Sequence, residues 1–336
     1  MSLNDALGRP LRDLRISVTD RCNFRCTYCM PKEVFGRDYV FVPQAELLTF
    51  EEVARLTKIF VANGVEKIRL TGGEPLVRRQ VETLVSMLAR IDGLRDLTMT
   101  TNGSLLTAEK ARALKEAGLN RITISLDSLR DDVFMSMNDV GVPVATVLQA
   151  IENAAAAGLT PVKIDMVVKR GVNDDSVLEM AEHFRGSGHI LRFIEYMDVG
   201  STNGWRMEDV VSAREIRDII DSLWPLEPAE ANYYGEVAQR FRYKDGRGEV
   251  GIISSVTQPF CGSCTRARLS ADGQLYTCLF GVFGRDFRKP LREGASDEDL
   301  DALVKSVWST RRDRYSEIRS EATISLRKVE MSRIGG

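Results

Sequence analysis

As far as about residue 225, short runs of alternating apolar and polar residues are separated by longer stretches whose apolar residues recur at helical spacing. The strand-like runs are 13–18, 66–71, 96–102, 121–127, 161–168 and 190–197. Val53, Leu56, Ile59 and Phe60 make one helical stripe; Leu84, Val85 and Leu88 make another. Thr49 with Glu52 has the form of a capping box, and Thr107 with Lys110 offers a cap without the acidic partner. Gly64, Gly118 and Gly158 stand where helices should stop. Six βα units in succession predict parallel strands with right-handed crossovers.

The register says more. Leu14, Ile16 and Val18 share one face of the first run, leaving Arg15 and Ser17 on the other. Ile68 and Leu70 oppose Lys67, Arg69 and Thr71; Thr98, Thr100 and Asn102 share a face; Thr123, Ser125 and Asp127 oppose Ile122, Ile124 and Leu126; Lys163 and Asp165 oppose Val162, Ile164 and Met166. Strands buried between helices usually read as continuous apolar runs, and an ordinary eight-stranded barrel fills its lumen with branched aliphatics. Five polar faces therefore predict helices against the apolar faces and a wet cavity behind the polar ones. Six strands do not close an eight-stranded barrel, so one side should stay open. An antiparallel sheet with one solvated face is the alternative, disfavoured because the connections read as helices.

Beyond Pro225 the pattern shortens. Residues 227–232 read as a linker, and 236–243, 249–254, 265–270 and 274–278 as short strands with turns at Asp245-Gly246 and Asp272-Gly273. The expected fold is α/β: an incomplete (βα)6 TIM-like barrel over residues 1–225, with a smaller C-terminal α+β domain over 226–336.

A formal charge of −2 over 336 residues lacks the basic excess an extended nucleic-acid surface needs, but leaves room for a small anion held by a few converging cations. The opening Met1-Ser2-Leu3-Asn4-Asp5 shows no basic region followed by an apolar stretch, and no apolar run is long enough to span a bilayer. A cytoplasmic chain away from membranes is expected. In that setting the six cysteines point to metal or catalysis rather than disulfides.

Cys22, Cys26 and Cys29 have the spacing C-x3-C-x2-C directly after the first strand. Three thiolates this close can hold three irons of a cubane cluster and leave the fourth open to a small molecule. Structural zinc wants four ligands, and the only histidines, His183 and His189, are remote in sequence. With Tyr28 just before the third cysteine, the chain resembles the radical S-adenosylmethionine superfamily. The turn Gly72-Gly73-Glu74-Pro75 after the second strand strengthens the likeness. The resemblance implies cofactor contacts at Tyr28, Gly73, Glu74, Ser125 and Met197.

Cys261, Cys264 and Cys278 form a second trio, C-x2-C-x13-C, again without an evident fourth ligand. A second cluster with one accessible iron follows by the same logic; a zinc-ribbon feature is the alternative, though a ribbon would supply a second pair. Arg266 and Arg268 alternate along a strand and point the same way, as suits bidentate capture of phosphate, or else they are a solvated pair. With both trios, these arginines and the final Gly335-Gly336, the resemblance narrows to the GTP 3′,8-cyclase family, also called molybdenum cofactor biosynthesis protein A. It implies GTP contacts at Arg15, Arg69, Thr100, Lys163, Arg266, Ala267 and Arg268. It also implies a catalytic set of Arg266, Arg268 and the glycines Gly335 and Gly336 entering the active site.

What the resemblance implies overall is a lyase with two [4Fe–4S] clusters and S-adenosylmethionine, which makes 3′,8-cyclo-7,8-dihydroguanosine 5′-triphosphate in the first step of molybdenum cofactor biosynthesis. Expected partners are GTP, a flavodoxin- or ferredoxin-like electron donor, the downstream cyclic pyranopterin monophosphate synthase and a second copy in a homodimer. A radical enzyme acting on peptides generally carries more C-terminal cysteines. An electron carrier or metal scaffold is the non-enzymatic alternative.

Overall fold

The computed structural model describes residues 3–324 and 326–335. Six strands, β1 (Asp13–Ser17), β2 (Lys67–Thr71), β3 (Asp96–Thr101), β4 (Arg121–Ser125), β5 (Lys163–Val168) and β6 (Ile190–Glu195), pair in that order, all parallel. Between and after them lie α1 (Phe50–Ala62), α2 (Val81–Ala89), α3 (Ala108–Glu116), α4 (Asp131–Asn138), α5 (Val144–Ala156), α6 (Val177–Phe184) and α7 (Ala213–Asp221). The capping box at Thr49 and Glu52 forms, Thr107 accepts from the Lys110 amide, and Gly64, Gly118 and Gly158 take positive φ after their helices.

The boundary expected at residue 225 falls between α7 and β7 (Leu226–Ala229). The strands beyond it, β8 (Gln239–Tyr243), β9 (Glu249–Ile253), β10 (Arg266–Leu269), β11 (Gln274–Tyr276) and β12 (Arg285–Asp286), extend the same sheet from both edges. β9 runs parallel to β6, and β10 runs parallel to β1. The hairpin partners β8 and β7 continue beyond β9, and β11 and β12 beyond β10, antiparallel. The result is an incomplete TIM-type barrel with a C-terminal extension. α8 (Arg288–Arg292), α9 (Asp297–Ser309), α10 (Glu321–Ile324) and α11 (Met331–Ile334) complete the chain.

One expectation is corrected. Half of the stretch read as a linker at 227–232, residues 227–229, belongs to β7, which pairs with β8 in the register Leu226↔Tyr243 to Ala229↔Arg240. Pro228 made the segment look non-strand, but β7 is the edge of the sheet, where a residue without an N–H is tolerated.

Leu14, Ile16, Ile68, Leu70, Met99, Ile124, Ile164, Phe193, Val250, Ile252 and Leu269 are buried in one cluster with Leu56, Leu84, Leu114, Ile151, Met180 and Ile220 of the helices. The apolar strand faces therefore point outward to the helices, and the polar faces are left to line the lumen. No helix among the described residues is long and apolar enough to cross a membrane.

Candidate active site

All six cysteines are free and line a single cavity inside the barrel. The first trio follows the C-terminal end of β1. Cys261 and Cys264 precede the N-terminal end of β10, and Cys278 follows the antiparallel β11, so the second trio sits at the opposite end of the strands.

The first trio is held by its own motif residues. Arg25 donates Nη1 to the carbonyls of Cys22 (2.8 Å) and Phe24 (2.7 Å) and Nε to that of Phe35 (2.7 Å). Cys26 accepts at its carbonyl from the amides of Cys29 and Met30. The glycine turn after β2 packs directly on this loop: Gly73 N donates to Thr19 O at 2.7 Å and Glu74 N to Arg21 O at 2.8 Å. A Cβ on Gly72 would collide with the Thr19 carbonyl and one on Gly73 with that of Arg21, so the close approach requires both glycines. Glu74 ties β2 to β3, accepting from Thr101 Oγ1 and Asn102 N, both at 2.7 Å, and from its neighbour Leu76 N. Burial pushes its carboxyl up to about 7. Tyr28 donates to Asp127 at 2.8 Å, and burial raises Asp127 to about 6. Burial, reinforced by Glu74, pushes the Cys22 thiol up to about 12; burial first and then Asp127 also raise Cys26.

The second trio is different. Arg266 Nη2 and Arg311 Nη2 each donate to Cys264 Sγ at 3.2 Å. Burial would raise this thiol, but the two guanidiniums outweigh it and bring it down to about 6. Cys278 is pushed up to about 11 by burial.

Between the trios lies a layer of cations. Arg15 pairs in register with Arg268 on one side and Arg69 on the other, so three guanidiniums stand side by side on β10, β1 and β2. Arg69 Nη1 donates to Thr100 Oγ1 (2.8 Å) and Thr123 Oγ1 (3.1 Å). Yet the Nε atoms of Arg15, Arg69 and Arg266 are buried with no partner among the described residues. Burial, then Arg268 and Arg69, hold Arg15 well below its usual value; burial and then Arg266 bring Arg268 to about 10. Buried like charges with idle donors are costly unless an anion joins them.

The other residues singled out from sequence fall as follows. Gly73, Glu74, Ser125, Met197, Thr100, Arg266 and Arg268 line the same cavity as Tyr28, Arg15 and Arg69. Ala267 faces the helical layer and is fully buried there, so only its backbone borders the site. Lys163 opens into an adjoining cavity at the N-terminal strand ends, which shares Asp13, Lys67 and Tyr233 with the main one. Burial, then Arg192, Arg121 and Lys67, lower its ammonium to about 7. Gly335 lies in the barrel: its carbonyl accepts from Arg268 Nη1, and a Cβ there would stand 2.7 Å from Thr71 Cγ2. Gly336 lies outside the described residues.

Sequence reasoning passed over Lys67, Arg192 and Arg311, all of which line the cavity. Lys67 shares the Arg69 face and was legible there. Arg192, forked onto Asp165 at 2.7 and 2.8 Å, interrupts the apolar run of β6, a signal available but unused. Arg311 gave none.

Three thiols behind the first strand of an incomplete barrel, with a glycine turn on the second strand packed against them, is the arrangement of a radical S-adenosylmethionine enzyme. Residues 16–184 match the model of the radical SAM superfamily, and 189–317 that of molybdenum cofactor synthesis C. The chain is 53% identical to a GTP 3′,8-cyclase of Acidothermus cellulolyticus and 48% identical to one of Staphylococcus epidermidis, with 99% of each chain covered in both comparisons. It therefore belongs to the GTP 3′,8-cyclase family. Among solved structures it is similar in fold to Streptococcus suis SuiB bound to S-adenosylmethionine (TM-score 0.63, 13% identity, 95% of this chain and 72% of that one). It also resembles anSMEcpe with bound AdoMet and a peptide (TM-score 0.50, 18% identity), where it spans 64% of its own length and 60% of that chain. Membership in the radical SAM superfamily brings one [4Fe–4S] cluster and S-adenosylmethionine, and the free first trio, open to the cavity beside Gly73 and Glu74, fits both.

Proposed function

We propose that the chain is a GTP 3′,8-cyclase whose two cysteine trios each hold a [4Fe–4S] cluster, with GTP bound between them. The observation that carries this reading is the layer of Arg268, Arg15 and Arg69, short of anionic partners and flanked by one trio at each end of the cavity. When bound, the first cluster, reduced by one electron, and S-adenosylmethionine would supply the radical chemistry for removing the ribose C3′ hydrogen of GTP.

The chain's own residues bind and orient. Cys22, Cys26 and Cys29 hold the first cluster, and Tyr28, Gly73, Glu74, Ser125 and Met197 seat the cofactor. Arg15, Arg69, Arg266, Arg268 and Lys163 compensate the triphosphate, with Thr100 fixing Arg69. Cys261, Cys264 and Cys278 would hold a second cluster, which would supply a binding point for the guanine ring. The tail bearing Gly335 closes over the Arg268 side of the site. We further propose that the protein works in the cytoplasm as a homodimer, takes electrons from a flavodoxin- or ferredoxin-like donor and passes product to cyclic pyranopterin monophosphate synthase.

Isothermal titration of anaerobically reconstituted protein tests the reading. Each charge-assisted hydrogen bond contributes about 1.5–3 kcal/mol, so Arg15→Ala should weaken GTP about ten- to a hundredfold. Unchanged GTP affinity in that variant contradicts the assignment.

A further inference from the structure

Arg311 differs from Arg15, Arg69 and Arg266, whose Nε atoms have no partner among the described residues, in having all three nitrogens used. Its side chain is 1% exposed. Nε donates to the Thr277 carbonyl at 3.1 Å; Nη1 donates to the Cys264 carbonyl at 2.8 Å and to Asp5 Oδ2 at 3.2 Å; Nη2 donates to Cys264 Sγ at 3.2 Å. Its guanidinium lies over the Trp308 ring, 4.5 Å from the centroid. Thr277 directly precedes Cys278, so one planar group bridges the loop carrying Cys261 and Cys264 to the strand end carrying Cys278.

The group that orients it comes from the other end of the chain. The Asp5 carboxylate is fully buried and also takes Arg9 Nε at 2.7 Å, while Arg9 Nη1 donates to the carbonyls of Cys261 and Asp313, both at 2.8 Å. One carboxylate thus aims two guanidiniums, one at each cysteine of the C-x2-C loop.

We propose that Arg311, oriented by Asp5, is a positioning residue for the second cysteine trio. It sets the distance between the Cys264 loop and Cys278. It also withdraws electron density from Cys264 Sγ, so that a cluster held there is easier to reduce and its open iron is a stronger Lewis acid toward the guanine ring. Hydrogen bonds to ligand sulfurs are among the levers that set cluster potentials, and partners behind the ligands orient them. Lysine keeps the charge but lacks the planar fork that reaches a carbonyl on each arm at once. The proposal rests on the reading of the second trio as a cluster site.

The test compares wild type, Arg311→Lys and Asp5→Asn, each reconstituted anaerobically. Iron per chain, the potentials of both clusters in an EPR-monitored redox titration, and the GTP dissociation constant are measured. Arg311→Lys should lower the second potential by up to about 60 mV, a tenfold change in the one-electron equilibrium. It should also weaken GTP about tenfold and leave the first potential in place. Asp5→Asn should shift the same quantities less, and it gives the same reading should Arg311→Lys not fold. Selective loss of the second cluster's irons from a variant that still melts cooperatively and keeps the first cluster supports the clamp equally. A full iron complement with an unmoved second potential and unmoved GTP affinity overturns the role of Arg311 alone. A wild type holding only about four irons overturns the two-cluster reading, and this proposal with it.

Discussion

The two cysteine trios have the same ligand count and opposite surroundings. Around the first, the carboxylates of Glu74 and Asp127 add to burial in raising Cys22 and Cys26, and Arg25 opposes at Cys22 but spends its donors on backbone carbonyls. The hydrogen bonds on Cys22 sulfur are long: the Phe24 amide at 3.4 Å and Asn102 Nδ2 at 3.8 Å. Around the second, Arg266 and Arg311 donate directly to Cys264. Nearby carboxylates disfavour the extra electron of a reduced cluster, which keeps it a strong reductant. Guanidiniums favour that electron and make the metal a better acceptor of a ligand. On the proposed reading, one end of the barrel is suited to giving an electron away and the other to holding a ring.

The largest effect that would break this comparison is at the first trio. Cys26→Ala should abolish release of 5′-deoxyadenosine altogether while leaving about four irons at the second trio; residual release contradicts the assignment. Next comes Arg266→Ala, expected to weaken GTP about ten- to a hundredfold. Cofactor cleavage without substrate should survive in it, and equal loss of both activities would show that the two ends are not separable.

A smaller effect concerns pH. Lys163 sits near 7 in the free protein because it is buried among Arg192, Arg121 and Lys67. A bound triphosphate favours the charged form, so binding takes up a proton above pH 7. GTP affinity should therefore fall as pH rises from 7 to 9, and Lys163→Met should flatten that dependence. An unchanged slope in the variant removes Lys163 from the site. The smallest effect is a control on the helical layer: Thr49→Ala loses the capping box of α1 and should cost about 1 kcal/mol in denaturant unfolding, with GTP affinity unmoved.

What sequence made legible was local. Cysteine spacing lies within single loops, and alternation along a strand assigns faces without knowing the neighbours, so the spacing of Arg15, Arg69, Thr100, Arg266 and Arg268 is enough to put them on the polar faces. What it hid depends on partners far along the chain. β7 reads as linker because its composition suits an edge, and whether it is an edge depends on β8 and β9. Arg311 stands among Arg312, Asp313 and Arg314, a stretch that reads as a solvated helix end. It is buried because Asp5, some three hundred residues earlier, folds against it.

The measurement that meets the central claim most directly is iron and labile sulfide per chain in anaerobically purified protein. Two trios, each holding a cubane with one corner free of protein ligands, predict about eight of each. About four of each, or four with a single zinc at the second trio, would contradict the account.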